Sequence, residues 1–112
     1  MKLRLILALG ILALAATISA VQQTSAVRRG ERAFMRLECN TCHFSGAGPN
    51  LTHVARKYDR AFLERFITDP PSVYRDRNNM PLNTGFMMMP NVHATPADAR
   101  VIVSYLGDLD RN

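Results

Sequence analysis

The two cysteines of this 112-residue chain lie in one pentapeptide, Cys39-Asn40-Thr41-Cys42-His43. Two thiols three positions apart, followed at once by a histidine, form the sequence signature of covalent haem attachment. In such a site the thiols form thioethers with the porphyrin vinyl groups, and the neutral imidazole of the histidine binds the iron. The pentapeptide therefore predicts one haem c, attached through Cys39 and Cys42, with His43 as an iron ligand.

Two other uses of a Cys-x-x-Cys pair fit this chain less well. A redox disulfide needs no histidine and usually lies within an alternating α/β pattern, which the sequence lacks. A structural zinc site needs four Cys or His ligands. Beyond the pentapeptide the chain offers only His53 and His93, at spacings that match no common zinc finger. Both histidines are interpreted as surface or loop residues.

The N-terminal segment has the layout of a secretory signal peptide. Lys2 and Arg4 precede an uncharged apolar run over residues 5–18, and small residues follow that run. We expect cleavage after Ala20, with a second candidate site after Ala26. An uncleaved membrane anchor is the alternative, but the apolar run is shorter than the ~20 residues that span a bilayer.

Removal of this segment leaves a small, mildly basic domain. The predicted organisation is a signal peptide over residues 1–20, or to residue 26, and one domain over residues 27–112, exported to the periplasm. Loss of the two basic residues near the N-terminus lowers the net charge from +5 to +3. So small a charge gives little support for nucleic-acid binding. A domain of this size commonly needs a cofactor, a metal or a disulfide to stabilise its fold.

Helical periodicity appears on both sides of the pentapeptide. Apolar residues recur at helical spacing in three segments, residues 30–37, 60–68 and 96–109. Asp59 and Thr95 stand where a side chain can cap a helix N-terminus, and Pro96 suits a first helical turn. Asp69-Pro70-Pro71 is predicted to end the middle helix, because proline cannot continue the backbone hydrogen-bond ladder.

The stretch from Gly30 to Leu109 resembles a class I cytochrome c domain. The family pattern has, besides the attachment pentapeptide, a Gly-Pro-x-Leu loop, a Met-Pro pair and an aromatic-Leu pair, found here as Gly48-Pro49-Asn50-Leu51, Met89-Pro90 and Tyr105-Leu106. The resemblance implies an all-α cytochrome c fold, with three to four short helices wrapped around one covalently bound haem. It also implies that the first and last helices cross, with Gly30 allowing close approach and Phe34 packing near Tyr105 and Leu106.

The resemblance further implies roles for individual residues near the haem. The carbonyl oxygen of Pro49 is expected to accept a hydrogen bond from Nδ1 of His43, which would orient the ring and make it a better donor to iron. Arg56 is a candidate for a hydrogen bond to a haem propionate, and Arg75 and Arg77 are weaker candidates. None of these residues is predicted to be catalytic.

The second axial ligand is predicted to be a methionine sulfur. A thioether is softer than an imidazole and raises the reduction potential relative to ligation by two histidines. Met89 is preferred, because its Met-Pro pair precedes Tyr105 by a distance that resembles the common bacterial spacing. Met80, which also precedes a proline, is the main alternative. The remaining candidates are Met87, Met88 and His93.

Ligation by histidine and methionine leaves iron no vacant position, so the predicted function is transfer of one electron and not catalysis. The expected partners are redox proteins, a dehydrogenase as electron donor and an oxidase or reductase as acceptor. The docking surface is expected to be an acidic face of the partner. No nucleic-acid partner is expected, and membrane contact is expected only if the N-terminal segment is retained. Two alternatives stay open: a tightly bound cytochrome subunit of a periplasmic dehydrogenase or oxidase, and a haem protein with an open iron position that binds gases or reacts with peroxide.

Overall fold

The computed structural model describes residues 1–76 and 88–111, and within these ranges the chain forms six α-helices. In chain order they are α1 (Lys2–Arg36), α2 (Cys39–His43), α3 (Val54–Lys57), α4 (Arg60–Thr68), α5 (Pro70–Asp76) and α6 (Pro96–Leu109). The all-α fold class is confirmed. The sequence predicts three to four helices, and the structure adds short ones of four to seven residues.

Helix α1 is much longer than the amphipathic segment predicted over residues 30–37. It has 35 residues, about 52 Å at 1.5 Å per residue, and it accounts for the long dimension of the molecule, 63 Å. The described side chains from Ile6 to Thr24 are all exposed, and packing against the core begins at Val27. The helix runs without a break through both predicted cleavage positions, and signal-peptide removal stays a prediction. No helix in the described part of the chain is long and apolar enough to span a membrane.

The crossing of α1 and α6 is built around Gly30. A Cβ atom at this position would lie 2.7 Å from the carbonyl carbon of Val101 and 2.8 Å from Cβ of Tyr105, so only hydrogen fits between the helices. One turn later, Phe34 is buried, and its ring meets Tyr105 edge-on with the centroids 5.4 Å apart. The predicted crossing and its aromatic contact are both present.

Helix α4 begins and ends where the sequence predicts. The carboxylate of Asp59 accepts a hydrogen bond of 2.8 Å from the Phe62 N–H, so the side chain caps the first turn. Leu63 and Ile67, one turn apart, are buried on the face that meets α6. This face places the aromatic side chains of α4 beside the core.

The prolines after α4 start another helix, where the sequence predicts only the end of a helix. The break at Asp69 is correct for α4, but Pro70 opens α5. The first N–H groups of a helix have no partner within it, so proline is tolerated there. Because α5 follows α4 directly, it carries Val73 and Tyr74 back into the core, where both are buried.

The N-terminus of α6 contacts the C-terminal end of α1. Thr95 and Asp98 form a capping box: the Asp98 N–H donates to Oγ1 of Thr95 and the Thr95 N–H donates to Oδ2 of Asp98, each at 3.1 Å. The guanidinium of Arg36, at the end of α1, lies 2.7 Å from Oδ1 of Asp98. The hydrogen bonds from Thr95, with a smaller contribution from Arg36, lower the pKa of Asp98.

Candidate haem-binding site

A cavity of about 580 Å³ lies at the centre of the helical domain. Its wall includes residues from every helix described above. Most of these side chains are aliphatic or aromatic, and few are polar. A volume of this size and a lining of this kind are typical of cofactor and small-molecule sites.

The structure brings most of the predicted site residues together at this cavity. Cys39, His43, Pro49 and Met89, which are spread over half of the chain, all line it. Cys42 lies on the same short helix as Cys39 but is exposed and stands outside the wall. The predicted attachment segment therefore lies at the edge of the cavity, with one thiol inside and one at the surface.

A left-handed residue between α1 and α2 turns the attachment helix toward the cavity. Glu38 has φ 59° and ψ 24° and stands at the N-cap of α2. Its N–H donates to the carbonyl oxygen of Met35 at 3.0 Å. A non-glycine residue in this region costs roughly 1–2 kcal/mol. The tight reversal allows α2 to begin directly after α1 ends, and it leaves Cys39 buried against the core.

Nδ1 of His43 lies 2.9 Å from the carbonyl oxygen of Pro49. When Nδ1 carries the proton it donates this hydrogen bond, and the Nε2 lone pair is then free to bind a metal. The intervening loop is closed by the Gly48 N–H, which donates to the carbonyl oxygen of Cys42 at 2.8 Å. The contact that the resemblance implies is thus present, while its effect on a bound iron stays a prediction.

The two thiols have different environments. Burial, reinforced by the nearby Cys42, raises the pKa of the Cys39 thiol, and a backbone hydrogen bond opposes this only in part. The neutral thiol is therefore the stable form at the cavity wall, where it packs as a small apolar group. The exposed Cys42 has no such apolar cover.

Tyr74 holds the backbone of Met89 at the cavity. The Met89 N–H donates a hydrogen bond of 3.0 Å to the Tyr74 hydroxyl, and the Tyr74 ring is buried with its edge toward Phe66 at a centroid distance of 5.5 Å. The sequence reasoning missed Tyr74. The available signal was the proline pair before it, which suits the first turn of a helix as well as the end of one.

The other ligand candidates divide into those outside the cavity wall and those outside the described residues. Met88 is 58% exposed, and His93 is exposed in a left-handed conformation with φ 57°. Neither lines the cavity. Met80 and Met87 lie outside the described residues. Among the ligand candidates that the structure describes, Met89 is therefore the one that faces the cavity with His43.

Arg56 pairs with a carboxylate of the chain, and its contact with a haem propionate stays a prediction. Its Nε donates to Oδ2 of Asp110 at 2.6 Å, and Oδ1 of the same carboxylate lies 2.7 Å from Nδ1 of His53. The hydrogen bonds from His53 and from Arg56 lower the pKa of Asp110. This cluster ties α3 and its N-cap residue to the end of α6. In the described part of the chain, His53 and Lys57 are the basic side chains, besides His43, that line the cavity.

The donor set suits haem iron. Within residues 1–76 and 88–111, no three His, Cys, Asp or Glu side chains are placed to hold a metal ion between them, and residues 77–87 and 112 contain none of these types. The cavity instead offers the imidazole of His43 and the thioether of Met89, a ligand pair that is found in electron-transfer haem proteins. The other imidazole of the wall, that of His53, is hydrogen-bonded to Asp110. With the adjacent thiols and the apolar wall, these residues fit a covalently attached haem.

Comparison with known families agrees with this geometry. Residues 27–110 match the family model described as cytochrome c. The chain belongs to the cytochrome c family. Searches of curated proteins and of solved structures gave no significant match. The cytochrome c family binds covalent haem c, so the cofactor predicted from the pentapeptide is confirmed, and membership indicates haem-based electron transfer.

Proposed function

We propose that this protein is a periplasmic one-electron carrier, with haem c attached through Cys39 and Cys42 and its iron held between His43 and Met89. The observation that carries the proposal is that Met89 lines the same apolar cavity as Cys39 and His43 of the attachment segment, from which it is far apart in sequence. When bound, the haem supplies a reversible one-electron couple. Its donors and acceptors in this proposal are periplasmic dehydrogenases and oxidases or reductases.

The residues on the histidine side fix the ring. The Pro49 carbonyl, 2.9 Å from Nδ1 of His43, holds the imidazole in one orientation and leaves Nε2 for the iron. A histidine that donates such a hydrogen bond is a more basic ligand. Pro49 therefore acts in this proposal as a positioning residue that lowers the reduction potential.

Met89 and the aromatic wall shift the reduction potential in the opposite direction. A thioether ligand raises the reduction potential. Burial in an apolar cavity does so too, because it disfavours the more highly charged oxidised centre. Tyr58, Phe62 and Phe66 stack in succession along the wall, with centroids 4.8 and 6.0 Å apart. Such a wall excludes water and contains few polar groups that must reorient when the charge of the site changes.

Carbon monoxide added to the ferrous protein tests whether the iron is closed. The wild-type spectrum should be unchanged by the gas, because Met89 occupies the sixth position. Met89→Ala should bind carbon monoxide readily, whereas Met88→Ala, a neighbouring exposed methionine, should behave as the wild type does.

Two outcomes of this experiment would contradict the proposal. Ready binding of carbon monoxide by the wild type would show an open iron and favour a gas- or peroxide-reactive protein. A closed site in Met89→Ala that opens in Met80→Ala would transfer the ligand role to Met80.

A further inference from the structure

The last turns of α1 carry two exposed arginines that form no ion pair with the described carboxylates. Arg28 and Arg32 are exposed, lie one turn apart and make no ion pair with any described residue. Between them, Arg29 donates to the hydroxyl of Ser25 at 3.2 Å. Glu31 is the acidic residue of this stretch. Positive charge is therefore concentrated on the side of α1 that faces away from α6.

Elsewhere in the described domain, most arginines have an acidic partner. The pairs are Arg36–Asp98, Arg56–Asp110, Arg60–Glu64, Arg65–Asp76 and Arg111–Asp108. Arg75 and Arg100, which have no carboxylate partner among the described residues, lie singly on α5 and α6. The stretch from residue 28 to residue 32 is thus the place where unpaired arginines cluster.

Exposed apolar side chains continue this surface toward the attachment helix. Met35, one turn beyond Arg32, is 47% exposed, and Phe44, directly after α2, is 53% exposed. The Phe44 ring lies 5.3 Å from that of Phe34, which anchors it to α1. Met35 and Phe44 precede and follow the helix in which Cys42 is exposed. Exposed Met and aromatic side chains that adjoin a stretch of arginines are typical of protein interfaces, in which these residue types are enriched.

We propose that Arg28, Arg29 and Arg32, together with Met35 and Phe44, form a docking surface for an acidic face of a redox partner protein. The inference rests on the proposed electron-carrier function, since it gives the chemistry of the partner and the place where it binds. Docking here brings the partner to the exposed edge of the attachment helix. A small contact with charge-steered association gives the fast, short-lived complex that a carrier needs.

An anionic lipid surface would also attract this charge, but the observations favour a protein. Lipid headgroups attract basic residues wherever these lie on a surface. An electron-transfer partner, by contrast, must dock near the attachment helix, and the exposed Met35 and Phe44 extend the surface from the arginines of α1 to that helix. The location of the surface, in addition to its charge, therefore favours a protein partner over a lipid membrane.

Stopped-flow electron transfer with reduced flavodoxin, an acidic redox protein, as the probe tests the proposal. The haem-loaded protein is compared with Arg28→Gln/Arg32→Gln and with the control Arg100→Gln/Arg111→Gln, which loses the same charge elsewhere. At low ionic strength the first variant should react about three- to tenfold more slowly than the wild type, and the control less than about twofold more slowly. The rate of the first variant should also depend less steeply on ionic strength, because screening acts on the charges that it lacks.

Equal rates for the two double variants would overturn the docking surface. The proposal would also be overturned if the Arg28→Gln/Arg32→Gln variant reacted at the wild-type rate but no longer sedimented with phosphatidylglycerol vesicles. The arginines would then bind an anionic membrane. The midpoint potential of each protein, measured in the same preparations, separates the two claims. A wild type that cannot be reduced reversibly ends the proposed function, whereas unchanged potentials with equal rates end the docking surface alone.

Discussion

Replacing Tyr74 with phenylalanine should weaken the hold on Met89 without changing the shape of the cavity. The ring of Tyr74 is 7% exposed, and phenylalanine keeps its edge-on contact with Phe66. The variant removes the acceptor of the 3.0 Å hydrogen bond from the Met89 N–H. A hydrogen bond contributes about 0.5–1.5 kcal/mol net, and a buried donor left without a partner costs about 1–3 kcal/mol. Because Met89 is only half-buried, water can reach the freed N–H, so we expect a loss of about 1 kcal/mol.

This loss should appear as easier displacement of the methionine. A change of about 1 kcal/mol raises the population of the undocked state about fivefold. Imidazole binds the iron only when Met89 is undocked, so its apparent Kd should fall by the same factor. The assay is an imidazole titration of the ferric protein followed by its visible spectrum. Tyr58→Phe is the matched control, because it also removes a hydroxyl from the cavity wall, one for which the described residues provide no hydrogen bond.

An unchanged imidazole affinity in Tyr74→Phe would refute this reasoning. If the thermal midpoint of that variant fell at the same time, the hydrogen bond would stabilise the fold and not the ligand. An equal gain in affinity in Tyr58→Phe would point instead to the polarity of the wall.

Further predictions concern the helix contacts that support the site. Gly30→Ala should lower the free energy of unfolding, measured in urea, by about 2 kcal/mol or more, because the clash with the Val101 backbone outweighs the gain in helix propensity. An unchanged urea midpoint would contradict the close crossing. Asp98→Asn should make the free energy of unfolding depend less on pH in the acid range. The pKa of Asp98 is lowered in the folded state, so its carboxylate stabilises the fold by about 1 kcal/mol through the cap with Thr95. This contribution is complete above the ordinary aspartate pKa of about 3.9 and is lost as pH falls below it. Glu38→Gly should raise the thermal midpoint, since glycine relieves the left-handed conformation at a net gain of roughly 0.5 kcal/mol.

Local signals in the sequence were enough to predict the parts of the fold that depend on neighbouring residues. The starts of α4 and α6 follow from capping side chains, Asp59 and Thr95, and the end of α4 follows from the proline pair after Asp69. The crossing at Gly30 and the contact between His43 and Pro49 were expected from the resemblance. The helix caps and the contact between His43 and Pro49 involve residues that are close in the chain, whereas the crossing at Gly30 joins distant segments and was expected only because the family pattern implies it.

The features that the sequence did not reveal depend on contacts between distant segments. The hydrogen bond from Met89 to Tyr74 requires the helix that begins at Pro70, and the proline pair alone does not distinguish the start of a helix from its end. The pairing of Arg56 with Asp110 joins residues far apart in the chain, which periodicity cannot indicate.

The length of α1 has a different cause. Its first half is rich in leucine and alanine, which favour a helix strongly. The same apolar run also fits a signal peptide, a pattern that predicts export and gives no helix bounds. The high helix propensity of this segment is compatible with the predicted signal peptide.

The intact mass and the pyridine haemochrome spectrum of the protein matured in the periplasm, both taken after extraction with acidified acetone, test covalent attachment at Cys39 and Cys42 most directly. We expect the mass of the chain plus one haem and a haemochrome typical of two thioether bonds, with haem no longer retained in Cys39→Ser/Cys42→Ser. A colourless wild-type protein, or a pigment that passes into the acetone and leaves the mass of the bare chain, would contradict a haem bound through this pentapeptide.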